Sequence, residues 1–220
     1  MKLSKETISI LKNFAGINSN IVVEAGNTIK TISEAKNIFA QATIEETFPQ
    51  GFGIYDLGEF LSVLSLFDAP VLDFSEKFVT VREDGKSRKV KYFFSDVDIL
   101  THPAKSINMP SADCEFTLTI DQIATIRRAA STLGVTDIVL EHCDGGAQVS
   151  VTDINNPTAN SYSIEISDID ILPNSKIVYN IDYWKMIPGD YDVKISSRLI
   201  SQFIGNNVEY FIALEKSSSF

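Results

Sequence analysis

The chain offers little that could make or break a covalent bond. Its two histidines are His102 and His142, and its two cysteines are Cys114 and Cys143. His142 and Cys143 are adjacent, and a thiolate beside an imidazole is a nucleophile in many hydrolases. Neighbours on a strand point to opposite faces, however, so these two cannot act as nucleophile and base. His102 stands beside Pro103 in a loop-like stretch, where a solvated imidazole is the ordinary outcome. These four side chains do not have zinc-site spacing. Asp96-Val97-Asp98 and Asp168-Ile169-Asp170 would each put two carboxylates on one face of an extended segment, where a divalent cation could bridge them. They read more simply as strand ends entering loops. Asp144-Gly145-Gly146 is hairpin-turn chemistry and precedes no helix, so it is not a phosphate loop. The expectation is a protein with no catalytic residue, no metal and no cofactor.

What remains is charge on helices. Lys5, Ser9 and Lys12 fall on one face of the first predicted helix, because positions seven apart almost superimpose. Arg127 and Arg128 sit on the third. Most basic helix faces are merely solvated. These two recur in both halves of a chain whose net charge is −10. Neither helix interleaves aromatics for base stacking, and neither reads as a groove-inserting recognition helix. Contact with phosphates, weak and indifferent to base sequence, is the chemistry they could support.

The elements that position these helices appear twice. Ser4 is a candidate N-cap, apolar residues follow at spacings of three and four, and Gly16 is a candidate stop. Ile21-Val22-Val23-Glu24 and further short strands run to residue 48, and Pro49-Gln50-Gly51 breaks the pattern. Asp56–Phe67 predicts a second helix on Leu57, Phe60, Leu61 and Leu64. Strands over 71–95 turn at Glu83-Asp84-Gly85-Lys86. The second half begins with a strand, then a helix over Asp121–Leu133 with Ile123, Ile126, Ala130 and Leu133 inward. Ile138-Val139-Leu140-Glu141, a turn and more strands follow. Asp182–Met186 stands where a second helix of the repeat belongs, and Pro188-Gly189 ends it. Lys216–Phe220 reads as a frayed tail. The stretch 96–112, with Pro103 and Pro110, reads as a linker. The division expected is 1–110, including the linker from about 96, and 111–220, a duplicated α+β domain.

Composition limits the partners. The 220 residues and 14 phenylalanines supply a core without staples. The charge is −2 over residues 1–110 and −8 over 111–220. That argues against a general grip on nucleic acid or an anionic membrane and leaves room only for local stripes. Two cysteines in such a length fit a reducing cytoplasm. No apolar run approaches the length of a membrane span, and no signal peptide is visible.

Particular stretches carry a family resemblance. Met1-Lys2-Leu3-Ser4-Lys5 with Leu11-Lys12-Asn13-Phe14-Ala15 resembles the N-terminus of the sliding clamps of T-even-type bacteriophages. Ile54-Tyr55-Asp56-Leu57, Phe60-Leu61 and Leu64-Ser65-Leu66 look like the second helix of that family. Pro188-Gly189 with Tyr191, and Ala213-Leu214-Glu215, match its C-terminal domain. The resemblance implies the DNA clamp fold: two similar domains, each with two helices packed on antiparallel sheets, assembling into a homotrimeric ring. It implies a non-enzymatic processivity factor that encircles duplex DNA and tethers the replicative DNA polymerase. An ATP-dependent clamp loader would place the ring, and late-transcription factors would use it, in the cytoplasm of an infected bacterium. The DNA-facing residues implied are Lys2, Lys5, Lys12, Arg127, Arg128 and Lys185. The third helix of the family tends to carry two spaced bases; here Arg128 matches one and Ser131 stands at the other. Partner tails would enter a hydrophobic pocket expected at Leu100, Ile107, Met109, Pro188, Tyr210 and Ile212. The competing reading is a scaffold oligomer with duplicated β-rich domains and no DNA role.

Overall fold

A computed structural model describes residues 1–143, 146–166, 169, 171 and 174–220. The turn residues Asp144 and Gly145 and the carboxylates Asp168 and Asp170 lie outside the described residues. The chain separates into two compact units, Met1–Ser106 and Ile107–Phe220.

In the first unit, α1 runs over Lys5–Ile17 and buries Thr7, Ile10, Leu11, Phe14 and Ile17. Ser4 is the N-cap, its Oγ accepting from Thr7 N at 3.1 Å. Gly16 does not stop the helix. It lies inside α1, and the terminator is Asn18, which is extended and buried and donates to Ile32 O and Thr101 O. Strands β1 (Ile21–Val23), β2 (Gly26–Ile32), β3 (Ile38–Phe48) and β4 (Phe52–Ile54) follow, with β1 on β4 and β2 on β3. Helix α2 (Leu57–Ser65) packs Leu57, Phe60 and Leu64 inward and touches α1. Then β5 (Pro70–Phe74), β6 (Phe78–Glu83) and β7 (Lys89–Phe93) form an antiparallel meander. Phe48, Phe52, Phe74 and Phe94 meet ring to ring at 5.0–6.3 Å. Gly53 is required by close approach, since a Cβ there would come within 2.7 Å of Leu100 Cδ1 and 2.8 Å of Ser95 O.

The second unit opens with β8 (Cys114–Leu118) and α3 (Ile120–Leu133). Thr119 and Gln122 form a capping box, and Gly134 closes the helix in the left-handed region at φ 66°. Strands β9 (Asp137–Cys143), β10 (Gly146–Thr152), β11 (Tyr162–Ile166) and β12 (Lys176–Asn180) make one sheet, ordered β11-β10-β9-β12. Strands β13 (Tyr191–Ser196), β14 (Ile200–Ile204) and β15 (Val208–Ala213) continue antiparallel from β8 in the order β8-β13-β14-β15. Where a second helix was expected there is only a 3-10 turn, Ile181–Tyr183. The segment is short, with Asn180 capping it at one end and Pro188 following. Trp184 is driven into the core against Tyr179 and Phe203 instead of joining a helical stripe. The expected frayed tail is also ordered, because Ser219 exchanges two backbone hydrogen bonds with Lys176.

Candidate nucleic-acid interface

Helix α1 exposes Lys5, Glu6, Ser9, Lys12 and Gly16, away from its buried stripe. The N-terminus of the helix is seated from a distance. One carboxylate oxygen of Glu46, on β3, accepts from Ser4 N, and the other accepts from Thr7 Oγ1 at 2.5 Å. Burial pushes the pKa of Glu46 up, but the hydrogen bonds from Thr7 and Ser4 outweigh it and hold the carboxyl below its ordinary value. Helix α2 exposes Gly58, Ser62 and Ser65, with Ser62 Oγ donating to Gly58 O and Ser65 Oγ donating to Ser62 O. Glu59, also exposed, is the charged residue of this helix.

On α3 the exposed face holds Asp121, Ala124, Arg128 and Ser131. Asp190 Oδ1 accepts from Ile120 N at 2.7 Å, at the first residue of the helix. Arg127 points elsewhere. Its Nη2 donates to Trp184 O and to Met186 O, and burial lowers its pKa. The guanidinium satisfies carbonyls that a helix would have bonded internally. Tyr210 Oη accepts from Ile187 N at 3.1 Å, and Tyr191 Oη donates to Ile187 O at 2.6 Å. Burial pushes the Tyr191 phenol up to about 12 and raises that of Tyr210 as well.

The six DNA-facing candidates therefore stand in different situations. Lys5, Lys12 and Arg128 are exposed and, among the described residues, enter no ion pair. Lys2 precedes α1 instead of belonging to it; it bridges Val71, and its Nζ lies 3.4 Å from Asp84 Oδ2. Arg127 is engaged with backbone. Lys185 is exposed just beyond the 3-10 turn. The six pocket candidates differ in exposure. Tyr210 and Ile212 have 0% of their area exposed, Leu100 is buried, and Ile107, Met109 and Pro188 are half-buried or exposed. Tyr210 and Ile212 alternate along β15, and both are buried.

The residues suggestive of catalysis have structural duties. Asp96 caps the 3-10 turn Val97–Ile99, its Oδ1 accepting from Asp98 N. His142 and Cys143 pair with Ala147 and Gly146 across β9–β10, as consecutive strand positions. Among the described residues no group of three or more His, Cys, Asp or Glu side chains could hold a metal ion. Among them, too, no helix is long and apolar enough to cross a membrane. The residues that sequence reasoning missed are Glu46 and Asp190, which reach the helix ends across 39–42 and 70 residues.

Short helices on antiparallel sheets, in two units, define the DNA clamp fold. The same fold is found in the proliferating cell nuclear antigen of Entamoeba histolytica, with a TM-score of 0.67 at 15% identity over 94% of each chain. It is found again in the beta clamp of Helicobacter pylori, solved with a DNA ligase peptide, with a TM-score of 0.66 at 11% identity over 100% of this chain and 67% of that one. Residues 4–93 match the DNA polymerase processivity factor family, and residues 115–216 match the C-terminal domain family of the gp45 sliding clamp. The chain is 37% identical to the sliding clamp of Vibrio phage KVP40, over 98% of this chain and 99% of that protein. It is 30% identical to the sliding clamp of Escherichia phage RB69 and 28% identical to that of Enterobacteria phage T4, over 100% of this chain and 99% of each relative. The chain belongs to the sliding-clamp family of T-even-type phages.

Proposed function

We propose that this protein is a replicative sliding clamp: three copies close a ring around duplex DNA and tether the replicative polymerase. Each copy contributes two clamp domains, divided at about residue 110. The clamp catalyses no reaction itself. An ATP-dependent loader places it in the cytoplasm of the infected bacterium, and late-transcription factors use the loaded ring. The observation that carries this reading is the set Lys5, Lys12 and Arg128: exposed bases on α1 and α3 that, among the described residues, enter no ion pair, in a chain of net charge −10. A ring that slides needs a few weak phosphate contacts repeated by several copies, because every strong ion pair would act as a brake. Retention then comes from topology.

Two sheet edges support ring closure. The outer edge of β5 is bridged by Lys2, and that of β12 is bridged by Ser219. Strands β7 and β11 end their sheets, and they bear the exposed large apolar strand residues Phe93 (62%) and Tyr162 (43%). Lys89 and Lys91 stand exposed on one edge and Glu165 on the other. Head-to-tail pairing of two unlike edges generates a ring.

The deciding experiment loads the protein with its cognate loader and ATP onto nicked circular DNA, then linearises the circle. Retention on circles with loss from linear ends is the expected result. Retention on both would mean binding by affinity and no ring. Absence from both, with an active loader, would favour the scaffold reading.

A further inference from the structure

The densest positive charge in this acidic chain lies on strands, not on helices. Six of its 19 bases fall within residues 77–91, against two acids, Glu83 and Asp84. Three of the six are paired: Arg82 with Asp73 and Asp84, and Lys86 and Arg88 with Glu83 and Asp68. Lys77, Lys89 and Lys91 are exposed and, among the described residues, enter no ion pair. Register sets two of them beside aromatic rings. Across β6–β7, Phe78 faces Phe93, Thr80 faces Lys91 and Arg82 faces Lys89. Directly opposed residues share a face of the sheet, so Phe78, Phe93, Lys89 and Lys91 stand together. The other face carries Tyr92, which meets Phe60 of α2, and the buried Val79 and Val81. Lys91 Nζ lies 3.7 Å from the centroid of the Phe78 ring and 5.1 Å from that of Phe93. The two ring centroids are 5.7 Å apart, so Phe93 leans over the sheet toward β6 and not out past the β7 edge, whose main chain serves the ring closure proposed above. Phe93 stays 62% exposed.

We propose that this face of β6 and β7 binds single-stranded DNA in an extended form, with a base on Phe93 and phosphates at Lys91 and Lys89. An open aromatic face beside cations is the arrangement that holds unpaired strands, because every base has a flat face to stack and every nucleotide a phosphate to neutralise. The Phe78 ring holds the Lys91 ammonium in place, so that cation is positioned before any strand arrives. Same-face residues of a strand stand about 7 Å apart. That is about twice the 3.4 Å spacing of phosphates along one strand of a duplex, so the row Lys89, Lys91 and Phe93 matches an unstacked strand. A duplex keeps its bases stacked on one another and offers none to Phe93. An acidic peptide would satisfy the lysines, but its apolar anchors need a pocket that buries them, and a ring 62% exposed does not provide one. The choice of DNA rests on the family to which the chain belongs. The site itself uses none of Lys5, Lys12 and Arg128, so it stands apart from the encircling of duplex.

The test titrates the full-length protein with a fluorescent oligo(dT) over a range of NaCl, read by anisotropy. Lys89→Gln with Lys91→Gln should lower the magnitude of the log–log salt slope by about 0.7 per lysine. Phe93→Ser should weaken binding about five- to a hundredfold and leave the slope unchanged. Light scattering checks the assembly of each variant. If Phe93→Ser loses the ring, Phe78→Ser, on the inner strand, decides; it should weaken binding about two- to fivefold by releasing Lys91. Lys5→Glu with Lys12→Glu and Arg128→Glu should leave oligo(dT) binding in place. Loss of binding in that triple variant, or full binding in the β6–β7 variants, would overturn the proposal. Displacement of oligo(dT) by polyglutamate, with Phe93→Ser binding as tightly as the unaltered protein, would overturn it in favour of an acidic peptide. Tighter binding of oligo(rU) than of oligo(dT) would overturn the choice of DNA. Retention of the unaltered protein on circular duplex tests the clamp reading separately, so the two failures are distinguishable.

Discussion

The two units head a sheet system with a basic helix in each case, yet they use their cationic side chains differently. In the first, α1 exposes two lysines and α2 completes a second full helix. In the second, α3 exposes one arginine and withdraws the next, because the backbone after the 3-10 turn has lost the hydrogen bonds a helix would supply. Arg127 replaces missing secondary structure. The lesson is that two adjacent arginines on one helix are not equivalent: a step of about 100° around the axis separates an exposed charge from a structural one.

The largest expected effect comes from breaking the contrast at the sheet edges. Phe93→Asp with Tyr162→Asp should convert the ring to monomers, read by light scattering, and abolish polymerase stimulation; an intact trimer would remove β7 and β11 from the interface. Next, Lys5→Glu, Lys12→Glu and Arg128→Glu together should impair polymerase stimulation while leaving the trimer intact. Unchanged stimulation at moderate salt would take these residues off the DNA-facing surface.

Arg127 sharpens the comparison within the second unit. Arg127→Met should cost about 1–3 kcal/mol through unsatisfied carbonyls, seen as a lower denaturant midpoint, with the salt slope of DNA binding unchanged. Arg128→Met should do the reverse. In the first unit, Gly16→Ala should raise stability by up to about 1 kcal/mol, because the residue lies within α1 and an added Cβ meets nothing within 4 Å. A fall in polymerase stimulation alongside higher stability would mark Gly16 as a point of close approach by DNA.

The smallest effect concerns pH. The folded-state pKa of Glu46 is depressed below 4.5, so its contribution is fully present above that value and is lost as the pH falls through the lower folded value. Glu46→Gln should therefore lower stability at neutral pH and flatten the acid limb of thermal stability. A steeper acid limb in the variant would contradict the seating of α1 by this carboxylate.

Much of the fold was legible before any coordinates. The stripes of α1, α2 and α3 follow from spacings of three and four, and the Ser4 cap lies within three residues of its partner. The same reading misplaced the end of α1, because Gly16 keeps helical geometry when the real terminator, Asn18, has two distant carbonyls to bond. It also expected a helix at 182–186, where the burial of Trp184 outweighed weak local helical preference.

The sequence alone determined where α1, α2 and α3 lie, which of their faces are apolar and that Lys5, Lys12 and Arg128 stand on the polar side. Those properties depend on side-chain type and helical period, which act over a few residues. Tertiary structure decided that Lys2 is drawn to Asp84, that Arg127 turns to Trp184 across 57 residues, and that Tyr210 and Ile212 are fully buried. It also decided that Glu46 and Asp190 sit at helix ends. Each of these outcomes depends on which distant backbone groups need a partner, and no periodicity in the chain records that.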